Sequence, residues 1–164
     1  MLAQLNPTVG ALEQNTKSIL DIYKKSIKKK VDIVAFPEMF LSGYQLQDLV
    51  LKKSFQIDID KFLKFLAKKC NGLPYLLLGA PIFENNKLFN AYIVIKNNTI
   101  KVISKKFHLP NSSLFDEQRY FNQSDNNLLF EIGGIKIGFP ICEDIWFKDV
   151  SKILKEKGAD LLIS

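Results

Sequence analysis

The chain reads as an α/β protein built around a mixed sheet, and three features of its apolar patterning predict this. Strand and helix periods alternate at the start, hairpin-like strands fill the middle, and alternation returns at the end. In order, residues 1–6 form a short apolar strand closed by Asn6-Pro7. From Ala11 to Lys30, Leu12, Thr16, Ile19, Leu20, Tyr23 and Ile27 recur at intervals of three and four, the spacing of an amphipathic helix. Val31–Phe36 is a compact apolar strand ending at Pro37-Glu38, and a loop with a short helical piece covers 41–55. Phe62, Leu63, Phe65 and Leu66 mark a second helix that runs out near Asn71-Gly72.

After Pro74 the texture changes. Tyr75–Ala80 is a buried type of strand, and Leu88–Lys96 and Thr99–Lys106 are joined by Asn97-Asn98, a two-residue hairpin turn. A polar stretch, Pro110 to Asn127, leads to Leu128–Ile132, a Gly133-Gly134 turn and an alternating strand from Ile135 that delivers Cys142 at its end. A third helix fits Asp149–Lys157, and Ala159–Ser164 opens another strand. No internal repeat or linker interrupts this order, so 164 residues form one domain.

Composition narrows the function classes. An apolar fraction of 47% and a charged fraction of 24% are ordinary for a globular domain. No apolar run approaches the roughly 20 residues of a membrane span, and the N-terminus has neither the basic flank nor the cleavage site of a signal peptide. Two cysteines without a Cys-x-x-Cys pair, and one histidine, give no disulfide framework and too few ligands for zinc. The expectation is a reduced, cytoplasmic, metal-free protein. The net charge of +6 comes from lysine clusters such as Lys24-Lys25, Lys28-Lys29-Lys30 and Lys68-Lys69. They lie on the polar sides or ends of helical patterns with no nucleic-acid motif, so they read as a solvated face rather than a phosphate-binding one.

Three residues carry the chemical interest. Cys142 stands where a strand breaks into two carboxylates, a place that exposes sulfur as a nucleophile, although a free cysteine is also a common core residue. Glu38 closes an otherwise apolar strand, where desolvation would raise its pKa toward that of a general base; a glutamate emerging into solvent is the alternative. Lys106 also closes a strand, where a fixed ammonium could stabilise an oxyanion or simply be solvated. His108 is a rival base, but its apolar frame favours a structural ring. Cys70, near a helix end beside Lys68 and Lys69, reads as a structural thiol.

Phe36-Pro37-Glu38, Lys106-Phe107-His108-Leu109 and Cys142, in that order and spacing, resemble the nitrilase superfamily of carbon–nitrogen hydrolases, with its Glu–Lys–Cys triad. Ala3–Gly10, Leu41-Ser-Gly-Tyr44 with Asp48-Leu49, Leu109-Pro-Asn, Phe115-Asp-Glu-x-Arg-Tyr-Phe121 and Cys142-Glu143-Asp144-x-Trp146 are similar to the glutaminase domain of glutamine-dependent NAD synthetases. The resemblance implies an α-β-β-α sandwich, incomplete here, since such a domain needs roughly a hundred residues more. The first strand also begins a few residues late, and Ser112 stands where that subfamily commonly has tyrosine.

The implied chemistry is hydrolysis of the glutamine amide through a thioester on Cys142. Glu38 would be the base, Lys106 and a backbone N–H near Glu143 would hold the oxyanion, and Tyr44, Glu143 and Trp146 would line the substrate pocket. The glutaminase domain needs no cofactor; ATP and deamido-NAD belong to a synthetase domain absent from these residues. Implied partners are glutamine, a synthetase domain or chain and further copies of the chain, with neither nucleic acid nor membrane. Weak or no glutamine hydrolysis is expected of residues 1–164 alone. Another nitrilase-type amidase, a non-catalytic remnant and a basic nucleic-acid module are the competing readings.

Overall fold

The computed structural model describes residues 1–125 and 127–164. A four-stranded sheet comprises β1 (Ile33–Ala35), β2 (Tyr75–Glu84), β3 (Lys87–Lys96) and β4 (Thr99–Lys105), in that spatial order. β1 pairs parallel with β2, and the other pairs are antiparallel. A second sheet comprises β5 (Phe130–Ile132), β6 (Ile135–Gly138) and β7 (Leu161–Leu162), with β5 antiparallel and β7 parallel to β6. There are thus two sheets, face to face, as the resemblance to an α-β-β-α sandwich implies, while apolar patterning alone indicates only a mixed sheet.

The helices α1 (Leu12–Lys28) and α2 (Lys53–Lys69) cover one face of the larger sheet. Their stripes Leu12, Ile19, Tyr23 and Ile59, Leu63, Leu66 pack with Leu76 and Leu78 of β2 and Ile93 and Ile95 of β3. Leu77, Tyr92, Val94 and Ile103 point the other way and meet Ile137, Phe139 and Ile141 from the smaller sheet. The rings of Tyr92 and Phe139 stack there at 5.3 Å. Burial on both faces explains why Leu76-Leu77-Leu78 is a continuous apolar run rather than an alternating one. The third helix, α3 (Lys148–Glu156), lies behind the smaller sheet. A Cβ on Gly138 would meet Leu154 at 3.0 Å, so the glycine permits this close approach. The layers run helix, sheet, sheet, helix.

Several expected boundaries move. The first residues do not form a full strand: Leu2 makes a single parallel bridge to Ala35, with Ala3 N–H donating to Ala35 O at 2.8 Å. The β3–β4 turn is as read, with Asn97 and Asn98 both at positive φ, 51° and 61°. Beyond it the pairing skips a residue. Ile93 faces Val102 but Tyr92 faces Ser104, leaving Ile103 as a bulge. The largest change concerns β6, which stops at Gly138 rather than running to Cys142. β7 pairs with β6 at the sheet's edge, and its Leu161 and Leu162 are exposed.

Candidate active site

Glu38, Lys106 and Cys142 come from three loops leaving the two sheets, and each is fixed by its local chain. Phe36 extends β1 by one bond, its N–H donating to Leu77 O at 2.9 Å, while the Tyr92 hydroxyl donates to Phe36 O at 2.8 Å. Pro37 then ends the pairing, and Met39 at φ 53° turns the chain back over β2. Gly79 makes that turn possible. A Cβ there would lie 2.4 Å from Met39 N and 2.7 Å from Glu38 Cα. On the neighbouring strand, the buried Asn90 amide donates to Glu38 Oε1 at 2.6 Å.

Lys106 follows β4 directly, its N–H donating to Asn90 O at 2.8 Å. Its side chain is fully buried, and Nζ donates to Glu38 Oε1 at 2.8 Å and to Glu117 Oε1 at 2.9 Å. Burial alone would lower the ammonium's pKa. The two carboxylates outweigh it and hold the pKa above the ordinary lysine value. Glu117 lies in a short 3-10 turn, Glu117–Arg119, and is buried. Its Oε1 also accepts the Tyr44 hydroxyl at 2.7 Å, while its buried Oε2 has no partner among the described residues. Desolvation pushes the Glu117 carboxyl up, against the pull of Lys106.

Cys142 opens a 3-10 turn, Cys142–Ile145, at φ 48°. A non-glycine residue in that region is strained, and the strain turns the sulfur out of the line of β6. Burial first, then the Glu38 charge, pushes the thiol up to about 11; a hydrogen bond to the Glu38 carboxylate adds to this and Lys106 opposes it. The shift favours the neutral thiol over the thiolate, so attack by the sulfur calls for a base. A transferable proton, a carboxylate and a fixed ammonium are the elements of attack on an amide carbonyl.

Beyond this triad, the structure brings Tyr44 into the cluster through Glu117. A cavity of about 290 Å³ opens beside the two, lined also by Met39, Gln45, Asp48 and Arg119. Neither that cavity nor a depression of about 300 Å³ between α2 and β2 is lined by Glu38, Lys106 or Cys142; the first adjoins them through Glu117 and Met39. Glu143 is half-buried beside the sulfur in sequence. Trp146 is not drawn in: the residue is 82% exposed and takes no part in the hydrogen-bonded cluster among the described residues. The His108 ring stacks on Phe147 at 4.2 Å, and its Nε2 meets the Asp149 carboxylate at 2.9 Å, which leaves it a structural role. Asn90 and Glu117 escaped the reading of the sequence. Glu117 sits within the Phe115–Phe121 segment, but a carboxylate in a polar loop has no periodicity to mark it.

Among the described residues, no group of three His, Cys, Asp or Glu side chains is arranged to hold a metal ion. No helix among them is long and apolar enough to cross a membrane.

Comparison with known proteins gives the family and the fold. The carbon–nitrogen hydrolase family matches residues 2–164. The glutamine-dependent NAD(+) synthetase of Rhodobacter capsulatus is 40% identical over 162 residues, which cover 99% of this chain and 29% of that protein. The enzyme of the same name from Aquifex aeolicus is 40% identical over 165 residues, with the same coverage. The structure of glutamine-dependent NAD+ synthetase from Acinetobacter baumannii superposes with a TM-score of 0.93 at 30% identity, over 98% of this chain and 30% of that one. An amidase from Nesterenkonia sp. shares the fold, with a TM-score of 0.82 at 18% identity over 98% of this chain and 61% of its own. The chain thus spans under a third of the synthetases it matches, and all of the match lies within the layers described above. By sequence and by architecture, this chain belongs to the carbon–nitrogen hydrolase family.

Proposed function

We propose that residues 1–164 form the catalytic part of a glutaminase domain, which hydrolyses the side-chain amide of glutamine and releases ammonia for the synthesis of NAD from deamido-NAD. The observation that carries the proposal is the Glu38 carboxylate held between the Asn90 amide at 2.6 Å and the buried Lys106 ammonium at 2.8 Å, with the Cys142 thiol close enough to feel both charges. Glu38 takes the thiol proton as sulfur attacks the amide carbon. Lys106 and a backbone N–H near Glu143 hold the developing oxyanion. Glu38 returns the proton to the departing ammonia, leaving a γ-glutamyl thioester on Cys142. A water that Glu38 deprotonates then attacks the thioester, giving glutamate and the free thiol. Tyr44, Glu143 and Trp146 are the proposed contacts to substrate, and Trp146 would have to turn inward to serve.

This chemistry needs no cofactor. ATP and deamido-NAD would be used by a synthetase domain or chain, and the ammonia would pass there. The proposal includes cytoplasmic residence, assembly with further copies and no nucleic-acid or membrane partner. The synthetase relatives favour glutamine over a simple aliphatic amide, and substrate choice is the direct test. The intact protein is incubated with glutamine, asparagine and butyramide, quenched in acid and weighed by mass spectrometry. A glutamyl adduct on Cys142, lost in Cys142→Ala, is expected with glutamine. An adduct formed only with butyramide would make the protein an aliphatic amidase instead.

A further inference from the structure

We infer that Asp144 is a positioning residue that clamps the lysine loop to the cysteine turn, so that Lys106 and Cys142 move as one body. The inference rests on the triad reading above. Asp144 is fully buried, and both carboxylate oxygens are engaged by backbone. Oδ1 accepts the N–H of Phe107 at 3.1 Å and of His108 at 2.8 Å. Oδ2 accepts the N–H of Ile141 at 3.0 Å, while Asp144 N–H donates back to Ile141 O at 3.1 Å. The reciprocal pair is a capping arrangement that sets the 3-10 turn and hence the strained backbone of Cys142. Phe107 and His108 directly follow Lys106. One carboxylate therefore ties the residue before the nucleophile to the two residues after the ammonium.

The chemistry explains why an acid is needed. Three N–H donors converge on two oxygens, and only an ionised carboxylate accepts on both sides without offering a hydrogen of its own. These bonds, to a charged acceptor in a buried place, are of the stronger kind. No bond in the β5–β6–β7 sheet does this work, because β6 ends at Gly138. The covalent path from Lys106 to Cys142 runs through thirty-five intervening residues, whereas the Asp144 bridge is one side chain long.

Asp144→Asn keeps one acceptor and turns an NH2 toward either Ile141 N–H or the Phe107–His108 pair, so one side of the clamp opens. Misplacement of reacting groups by about 1 Å costs on the order of a hundredfold in rate. In the intact protein, the expected result is a fall of about a hundredfold in kcat for glutamine with KM changed by less than about threefold. Asp144→Glu, one methylene longer, should not rescue it. Amide hydrogen exchange on the unsubstituted protein is the second measurement: Phe107, His108 and Ile141 should share one protection factor, and Asn at 144 should release one side. Parent-like kcat in folded Asp144→Asn, or unequal and fast exchange of the three amides in the parent, overturns the inference. Failure of the glutaminase reading would look different, as turnover that survives Cys142→Ala, since exchange reports the clamp whatever amide is used.

Discussion

Replacing Lys106 with methionine removes the cation that two carboxylates share while nearly keeping side-chain volume. The Glu117 side chain is 5% exposed and that of Glu38 18%, so water can reach Glu38 in part and Glu117 hardly at all. Removing one member of a buried pair costs about 3–5 kcal/mol, because the remaining charge keeps its desolvation cost without its partner. For a domain of this size, about 2–4 °C per kcal/mol makes that a fall of roughly 6–20 °C in Tm. The loss must depend on pH. Burial already raises the Glu117 carboxyl pKa, and losing the nearby ammonium raises it further. A carboxyl whose folded pKa exceeds its unfolded value contributes most stability below the unfolded value, and that contribution is lost as pH rises through the folded one. Parent and variant should therefore be closest at about pH 5, and the deficit should widen toward about pH 8. In the parent, the Lys106 ammonium stays charged over this window, its pKa being held above the usual value. Urea unfolding of both proteins at a series of pH values measures the difference. A deficit under about 1 kcal/mol, or one flat with pH, would show that the ammonium does not offset a buried negative charge.

Further outcomes follow from single contacts. Gly79→Ala puts a methyl 2.4 Å from Met39 N, so the Glu38 turn must shift; stability should drop by about 1–3 kcal/mol and amide turnover at least tenfold, and parent-like kinetics would mean the turn is not seated on β2. Asn90→Leu removes the 2.6 Å bond to Glu38; kcat should fall by about tenfold, and an unchanged pH–rate profile would deny Asn90 any hold on the base. Iodoacetamide should alkylate exposed Cys142 and spare Cys70, which is fully buried with its thiol pushed up to about 12. The alkylation rate should climb as pH approaches about 11, and a plateau near neutrality would show that Lys106, not burial, governs the sulfur.

Glu38, Lys106 and Cys142 stood out in the sequence as candidates because each ends an apolar run, where a charged or nucleophilic residue is conspicuous. The Asn97-Asn98 hairpin was legible for a similar reason, since few residues other than glycine tolerate positive φ in succession. The backbone at Cys142 was not. Ile135 to Ile141 alternates well enough to suggest a continuous strand, but Pro140 supplies no N–H to a ladder and the pairing ends at Gly138. Glu117 and Asn90 were hidden for opposite reasons. One lies in a loop without periodicity, and the other is a polar residue inside a strand whose two faces are both buried. Asp144 was visible only as the second of two acids after the cysteine; nothing local says that Glu143 stays half-buried while Asp144 turns fully inward. The second sheet depends on contacts between Leu77, Tyr92 or Ile103 and residues far along the chain, which no local pattern encodes.

The bulge at Ile103 gives β4 an unequal tolerance to changes in its own length. By skipping Ile103, the ladder brings Lys105 opposite Ala91 and sets Lys106 beside Asn90; a regular ladder would have put Lys105 there. The strand thus holds one residue in reserve. A codon lost between Thr99 and Ile103 can be absorbed by closing the bulge, which sacrifices packing but leaves Lys106 in place. A codon gained in the same stretch has no such outlet. Unless a second bulge forms, Lys105 inherits the position, drawn away from Glu84 and the Phe89 ring against which it normally rests. Natural variants of this hairpin should therefore shorten more readily than they lengthen, and a lengthened one could still carry a lysine in the site, though not the same lysine.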